Sequence, residues 1–334
     1  LKLKSLKPIR PVLAAAAIFA AALPVAPASE SISITARSIT QFKTGSSESR
    51  FGMLDFIGGI EFSSPDARLQ SLSSIRFRSD GRSFVSVLDT GDWLTGQIDR
   101  DPEGRINGLS KATIHPILLA NGRPGSKMSS DAEGLALRSG QAVVSFEQQH
   151  RVDVYPDPGF EMAKPLKSLD FLIPRVELRR NAGMETVVAS PPSSPLKGAL
   201  LVISERSLDP EGNMLAAVLE GPLKGRFTVV RHDPYDATDG AFLPNGDFLL
   251  LERRFSFLGG LGMRIRRIKG DSIRPGATVD GEILIDADMS YAIDNMEGLD
   301  VVPGSEGKPH LILVSDDNGN LFQRNVMLEF RLEE

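Results

Sequence analysis

A short fragment that joins a polar or acidic residue to an apolar strand recurs along the chain. It reads "SLSSIRF" from Ser71, "DAEGLAL" from Asp131, "NAGMETVV" from Asn181, "TDGAFL" from Thr238 and "NMEGLDV" from Asn295. Taking Ser73, Glu133, Glu185, Asp239 and Glu297 as equivalent, the intervals are 60, 52, 54 and 58 residues. A second anchor follows each first one after 13 to 20 residues, always an apolar strand ending in an acid. These acids are Asp89 in "FVSVLDTGD", Glu147 in "AVVSFEQQHR", Glu205 in "LLVISERS", Glu252 in "FLLLERR", and Asp316 or Asp317 in "LILVSDDN". Self-similarity at such a period marks stacked units that bury their faces against one another, and this period fits four-stranded blades in a radial array.

The rest of the chain reads as β. Apolar or alternating runs such as 84–88, 142–146, 200–204, 248–251 and 311–315 lie between Gly, Pro, Asp, Asn or Ser clusters. Arg-Ser-Asp-Gly at 78–81 and Leu-Pro-Asn-Gly at 243–246 predict tight hairpins, because Gly81 and Gly246 take a positive φ at little cost. Residues 156–174 and 190–195 read as surface connections, with one short helix over 160–169, and 257–262 as a hairpin loop. The expected fold is therefore an all-β propeller of four-stranded blades, with five repeats legible. A sixth blade would need about 80 residues divided between the two ends. Strand-like "SISITARSITQF" and "GGIEF" near one end and "VMLEFRL" near the other predict that the segment up to about Ser64 pairs with the last strands, which removes free sheet edges.

The chain opens with Lys2, Lys4, Lys7 and Arg10, then an apolar stretch from Val12 to Leu23, then Ala26-Pro27-Ala28. That order is the order of a secretory signal peptide, with cleavage expected after Ala28 and a periplasmic or secreted domain over 29–334. Twelve apolar residues are too few for a membrane span, which needs about 20. No second long apolar run follows, so stable membrane insertion is not expected, and the domain is read as a monomer. The formal charge is −5 for the whole chain and −9 once four basic residues of the leader are removed, which excludes duplex nucleic acid as a partner. Absence of cysteine excludes disulfides, a thiolate nucleophile and a cysteine zinc site.

The stretches "LSSIRFRSDGRSFVSVLDTGDW", "HDPYDATDGAFLPNGDFLLLERRFS" and "LVSDDNGNLFQRNVMLEFRL", with "DAEGLAL", "VSFEQQHR", "GMRIRRI" and "NMEGLD" between them, resemble the phytase-like domain family, described as esterase-like activity of phytase. The resemblance spans about Gly58 to Leu332. It implies an exported bacterial β-propeller and hydrolysis of phosphoester or carboxyester bonds. The family usually opens with a "GGLSGL"-like segment where this chain has Gln70-Ser71-Leu72-Ser73-Ser74.

In a radial array, equivalent strand ends converge on one face, so the repeated acids should form a ring of carboxylates. Glu133, Glu147, Glu185, Glu205, Asp239, Glu252, Glu297 and Asp316 would repel one another without a cation. Hard oxygen ligands suit calcium, with Asn181, Asn295 and Asn318 as further donors. In a hydrolase of this kind Glu133, Glu297, Asp239 and His232 are the candidates for proton transfer. Arg206, Arg253 and Arg324 are the candidates to grip a small phosphorylated or ester substrate, with Arg151, Arg231 and Arg254 nearby in sequence. No Gly-x-Ser-x-Gly elbow is present, and Arg231-His232-Asp233-Pro234 lacks the glycine and arginine of a histidine phosphatase. The same fold also suits a non-catalytic scaffold that binds a ligand or a protein.

Overall fold

The computed structural model describes residues 30–179, 182–256, 259–304 and 306–333. The expected leader with its cleavage point, Asn181 and Phe257 lie outside these residues.

Five sheets form five blades. Blade 1 runs outward from Leu72–Phe77 through Ser83–Leu88 and Asp92–Arg100 to Ile106–Pro116, with Glu30–Ser31 on its outer edge. Blade 2 comprises Ala132–Arg138, Gln141–Phe146, Arg151–Pro156 and Lys167–Leu169. Blade 3 comprises Met184–Ala189, Leu200–Leu208, Met214–Val218 and Gly225–Val229, and Thr278–Val279 adds a parallel edge. Blade 4 comprises Asp236–Phe242, Phe248–Ser256, Gly260–Ile268 and Gly281–Asp288. Blade 5 takes Asn295–Pro303, Pro309–Asp316 and Asn325–Leu332 from one end of the chain and Leu54–Ser63 and Thr35–Ile39 from the other.

Continuous apolar strands follow from this architecture, because both faces of a blade pack on a neighbour. Leu201 and Ile203 enter the core shared with blade 4, whereas Leu200 and Val202 enter the core shared with blade 2. Leu311 and Leu313 likewise face blade 4 while Ile312 and Val314 face blade 1. The five apolar cores each fill one gap between adjacent blades, and the ring closes with five.

The expected closure is present: Leu54–Ser63 pairs along its length with Asn325–Leu332, from Phe62 opposite Asn325 to Leu54 opposite Leu332. The terminal residues that a sixth blade would have needed complete the fifth blade and edge the first. Both predicted hairpins also form, with Gly81 at φ 61° and Gly246 at φ 93°. The expected helix over 160–169 does not. A single 3-10 turn at Phe160–Met162 stops before Pro165, and Lys167–Leu169 instead covers the open edge of Arg151–Pro156.

The central channel is plugged. Arg76 of blade 1 is buried and donates to Val187 O of blade 3, Gly240 O and both carboxylate oxygens of Asp239 in blade 4, and Leu299 O of blade 5. A side chain that reaches three other inner strands must lie on the axis. It separates the mouth that holds the repeated acids from the opposite mouth, a cavity of about 490 Å³ lined in part by Phe242 and Asp300. No helix of the described residues is long and apolar enough to cross a membrane.

Candidate functional site

Strand register decides which repeated residues meet. The inner strands of blades 1, 3, 4 and 5 break register at Ser73, Glu185, Thr238 and Glu297, and in blade 2 Glu133 and Gly134 lie opposite Ser145. Such a bulge re-aims the extra side chain. Here it turns Glu133, Glu185 and Glu297 into the channel mouth, with Ser73 beside them. The second anchors each follow the residue that pairs with Leu72, Ala132, Met184 or Met296, and are Asp89, Glu147, Glu205 and Asp316. In blade 4 that position is Arg253, because Asp236 pairs with Arg253 as Asn295 pairs with Asp316.

Seven carboxylates and one guanidinium thus line a cavity of about 170 Å³. Oxygens of Asp131, Glu133 and Glu147 lie within 4.8 Å of one another, as do those of Glu147, Glu185 and Glu205, so Glu147 belongs to both groups. Gly183 N fixes Glu147 by donating to Oε1 at 2.8 Å. Arg253 bridges the far side, with Nη1 2.7 Å from Glu297 Oε1 and 2.6 Å from Asn295 Oδ1, and Nη2 3.4 Å from Glu205 Oε1. On the near side Lys127 Nζ lies 2.5 Å from Asp89 Oδ2 and 3.3 Å from Asp131 Oδ1.

Two cations do not neutralise this group. Burial first, and the charge of neighbouring carboxylates second, push Glu133 and Glu185 well above the usual carboxylate range. Burial raises Glu147 to about 7, against the Gly183 hydrogen bond, and Asp316 also to about 7. Glu297 rises to about 8 through burial, although Arg253 opposes it. Asp131 and Glu205 are raised by burial as well. The buried Oδ1 of Asp89 also lacks a hydrogen-bond donor. A cluster that must either hold protons near neutrality or accept a cation, with an orphan oxygen on Asp89, fits a hard divalent ion.

The glycines after Glu133 and Glu297 do not serve a turn, as neither has a positive φ. They allow neighbouring inner strands to touch: a Cβ on Gly134 would stand 2.5 Å from Glu185 O, and one on Gly298 3.1 Å from Ile75 N. Ser74 occupies the same register in blade 1 and its hydroxyl donates to Asp239 Oδ2 at 2.9 Å. Ser71 adopts φ 62°, a conformation that favours glycine.

Several expected residues lie elsewhere. Asp239 is one register position past the bulge and points down the channel to Arg76, so it is not in the ring. Glu252 points to the opposite face of its strand, where it is fully buried against Arg266 at 2.6 and 2.7 Å. His232 is exposed and bound to Asp280 at 2.9 Å, outside the ring. Arg206 is tied to Asp236 beside the cavity, and Arg324 lies with Asp294 and Glu61 in another depression. Asp317 holds the 317–325 loop through Gly319 N and Asn325 Nδ2. Asn295 hydrogen-bonds Arg253 and Glu297, and Asn318 lines the cavity.

Three site residues escape a repeat-based reading. Asp131 begins the "DAEGLAL" fragment and could have been found there, whereas Lys127 comes from a four-residue helix, Lys127–Ser130, with no counterpart in the other blades. His150 packs behind Glu147 across Gly183, and burial first and Arg175 second lower its pKa.

A family model described as "Phytase-like: Esterase-like activity of phytase" matches residues 67–319. Among solved structures, the chain is similar to an endo-arabinase from Bacteroides thetaiotaomicron (11% identity, 79% of this chain and 95% of that one, TM-score 0.47). It is also similar to the PQQ-bound aldose sugar dehydrogenase of Streptomyces coelicolor (12% identity, 92% and 100%, TM-score 0.46). A third is the β-propeller domain of Myceliophteria thermophila Cps50 (Swd1) (13% identity, 75% of this chain and 63% of that one, TM-score 0.37). The search of curated proteins finds no match.

Proposed function

The chain belongs to the phytase-like family, and on that premise we propose that it is an exported hydrolase of ester or phosphoester bonds whose carboxylate cluster holds calcium. The observation that carries this reading is the pair of oxygen triads around Glu147. Asp131, Glu133, Glu147, Glu185 and Glu205 would hold the ion, and its oxygen-only, irregular donor set suits calcium better than zinc. When bound, the ion supplies a Lewis acid for a carbonyl or phosphoryl oxygen and lowers the pKa of a coordinated water.

The chain's own residues supply the rest. Arg253 faces the cavity with a planar fork of donors, anchored by Glu297 and Asn295, that can receive a developing negative charge. Asp316 and Glu297, at about 7 and about 8, exchange protons near neutral pH, which suits general acid–base work. His232 does not line the cavity and is bound to Asp280 instead.

The test is elemental analysis of the purified protein, then assays on ester and phosphoester substrates with and without chelator. Stoichiometric calcium and chelator-sensitive hydrolysis are expected. A metal-free protein with no response to added calcium would leave a non-catalytic binding scaffold as the better reading. Intact mass of the extracytoplasmic form should begin near Ser29.

A further inference from the structure

Beside the carboxylate cavity, on the same face, lies a second and larger cleft of about 630 Å³. The two are continuous, because Glu205, Arg253 and Asn318 line both. The junction is polar: Arg253 faces Glu297, and Arg206, locked on Asp236 by an Nε–Oδ2 contact of 2.6 Å, stands next to it. Away from the junction the character changes. Phe255 from the second strand of blade 4, Met289 from the crossing into blade 5 and Phe322 from the 317–325 loop line the cleft while 68%, 53% and 93% exposed.

Single exposed apolar side chains are ordinary on a protein surface. Three large ones from three separate segments that converge on one concave, amide-flanked cleft mark a place where an apolar group is covered on binding. The volume far exceeds what a phosphoryl or acetyl group fills. Beyond Arg206 and Arg253 at the junction, no cationic residue among the described residues lines the cleft, so its far part has nothing to grip a polyphosphorylated polyol.

We infer that this cleft is the subsite for the apolar part of an amphiphilic substrate, a monoester or phosphomonoester carrying an alkyl, acyl or aromatic group. Its head lies at the carboxylate cavity and its tail on Phe255, Met289 and Phe322. This rests on the hydrolase reading for the word substrate, and on the continuity of the two cavities for the binding. In the reaction, a water oxygen bonds to the acyl carbon or phosphorus, the bond to the ester oxygen breaks, and that oxygen takes one proton from the water through an acidic side chain.

The test uses the full calcium-loaded protein. For carboxylic esters, hydrolysis of p-nitrophenyl acetate, butyrate and octanoate is followed. For phosphoesters, phosphate release from methyl, butyl and octyl phosphate is followed. In the favoured series kcat/KM should rise about 2–4-fold per added methylene, and Phe322→Ser and Phe255→Ser should flatten that rise. Binding of methylphosphonate and octylphosphonate is measured separately by calorimetry, with at least tenfold tighter binding of the octyl compound expected in the wild type and not in the variants. No hydrolysis with preserved octyl preference would remove the hydrolase reading and leave the cleft assignment standing. Hydrolysis indifferent to chain length, with equal binding of the two phosphonates, would overturn the assignment and leave the hydrolase. A dimer that dissociates on Phe322→Ser would give the cleft to a second copy of the chain and overturn it too.

Discussion

Arg76 and Asp239 meet across the propeller axis as a fork, with Nη2 to Oδ1 at 2.7 Å and Nη1 to Oδ2 at 2.8 Å. The pair joins blade 1 to blade 4 with both side chains buried. Burial disfavours charge on Arg76, but Asp239 holds its pKa above the ordinary value. Asp239 also accepts from Leu299 N at 3.0 Å and from Ser74 Oγ, so its oxygens are fully used.

Removing one partner of such a pair leaves the other buried and uncompensated. Arg76→Met should therefore lower stability to urea by ~3–5 kcal/mol. Adding Asp239→Leu should recover a large part of that loss, because the stranded charge is then gone. If the double variant were as unstable as the sum of the singles, Arg76 would act through its carbonyl contacts alone.

The two acids Glu147 and Glu252 should separate cleanly. Glu147→Gln removes the carboxylate common to both oxygen triads and should abolish the rise in thermal midpoint on adding calcium. Glu252→Gln should keep the calcium response but lose stability, since buried Arg266 would lose its buried counter-charge and keep only the half-exposed Asp280 as a charged partner. Equal calcium responses in the wild type and Glu147→Gln would place the ion elsewhere. Glu297→Gln should weaken the response less than Glu147→Gln, as Arg253 already compensates Glu297.

Metal-free protein should lose stability as pH rises. Glu147, Asp316 and Glu297 titrate at about 7, about 7 and about 8 in the fold, against roughly 4 for an unfolded carboxylate. Between those values these three groups bind more protons in the folded chain than in the unfolded one, so the stability they contribute is full below about pH 4 and drains away up to about pH 8. The thermal midpoint without calcium should be higher at pH 5.5 than at pH 8.5. Calcium, which displaces those protons, should shrink or invert the difference. A midpoint that climbs with pH in chelator would contradict the crowding of these acids.

Ring closure through Leu54–Ser63 and Asn325–Leu332 makes the termini interdependent. Deletion from Val326 onward should expose the edges of Pro309–Asp316 and Leu54–Ser63 together and unfold the domain as a unit. A truncated chain with the parental midpoint in calorimetry would show that the other four blades hold without closure.

Much of this was written in local pattern. Continuous apolar strands such as Leu200–Ile203 and Leu311–Val314, acids at their ends, and turn glycines at 81 and 246 determine blades, hairpins and an acidic mouth by local chemistry alone. Which acids share that mouth depends on register, and a shift of one residue sends a side chain to the other face. Aligned by its acid, "FLLLERR" offers Glu252; counted from the start of its apolar run, as Glu205 is from Leu200 and Asp316 from Leu311, it offers Arg253. The bulge does the same to Thr238 and Asp239. Five blades in place of six, the Arg76 plug and the approach of Lys127 to Asp89 were decided by the tertiary structure. They depend on how many inter-blade cores close a circle and on contacts between residues tens to hundreds of positions apart, which no local spacing encodes.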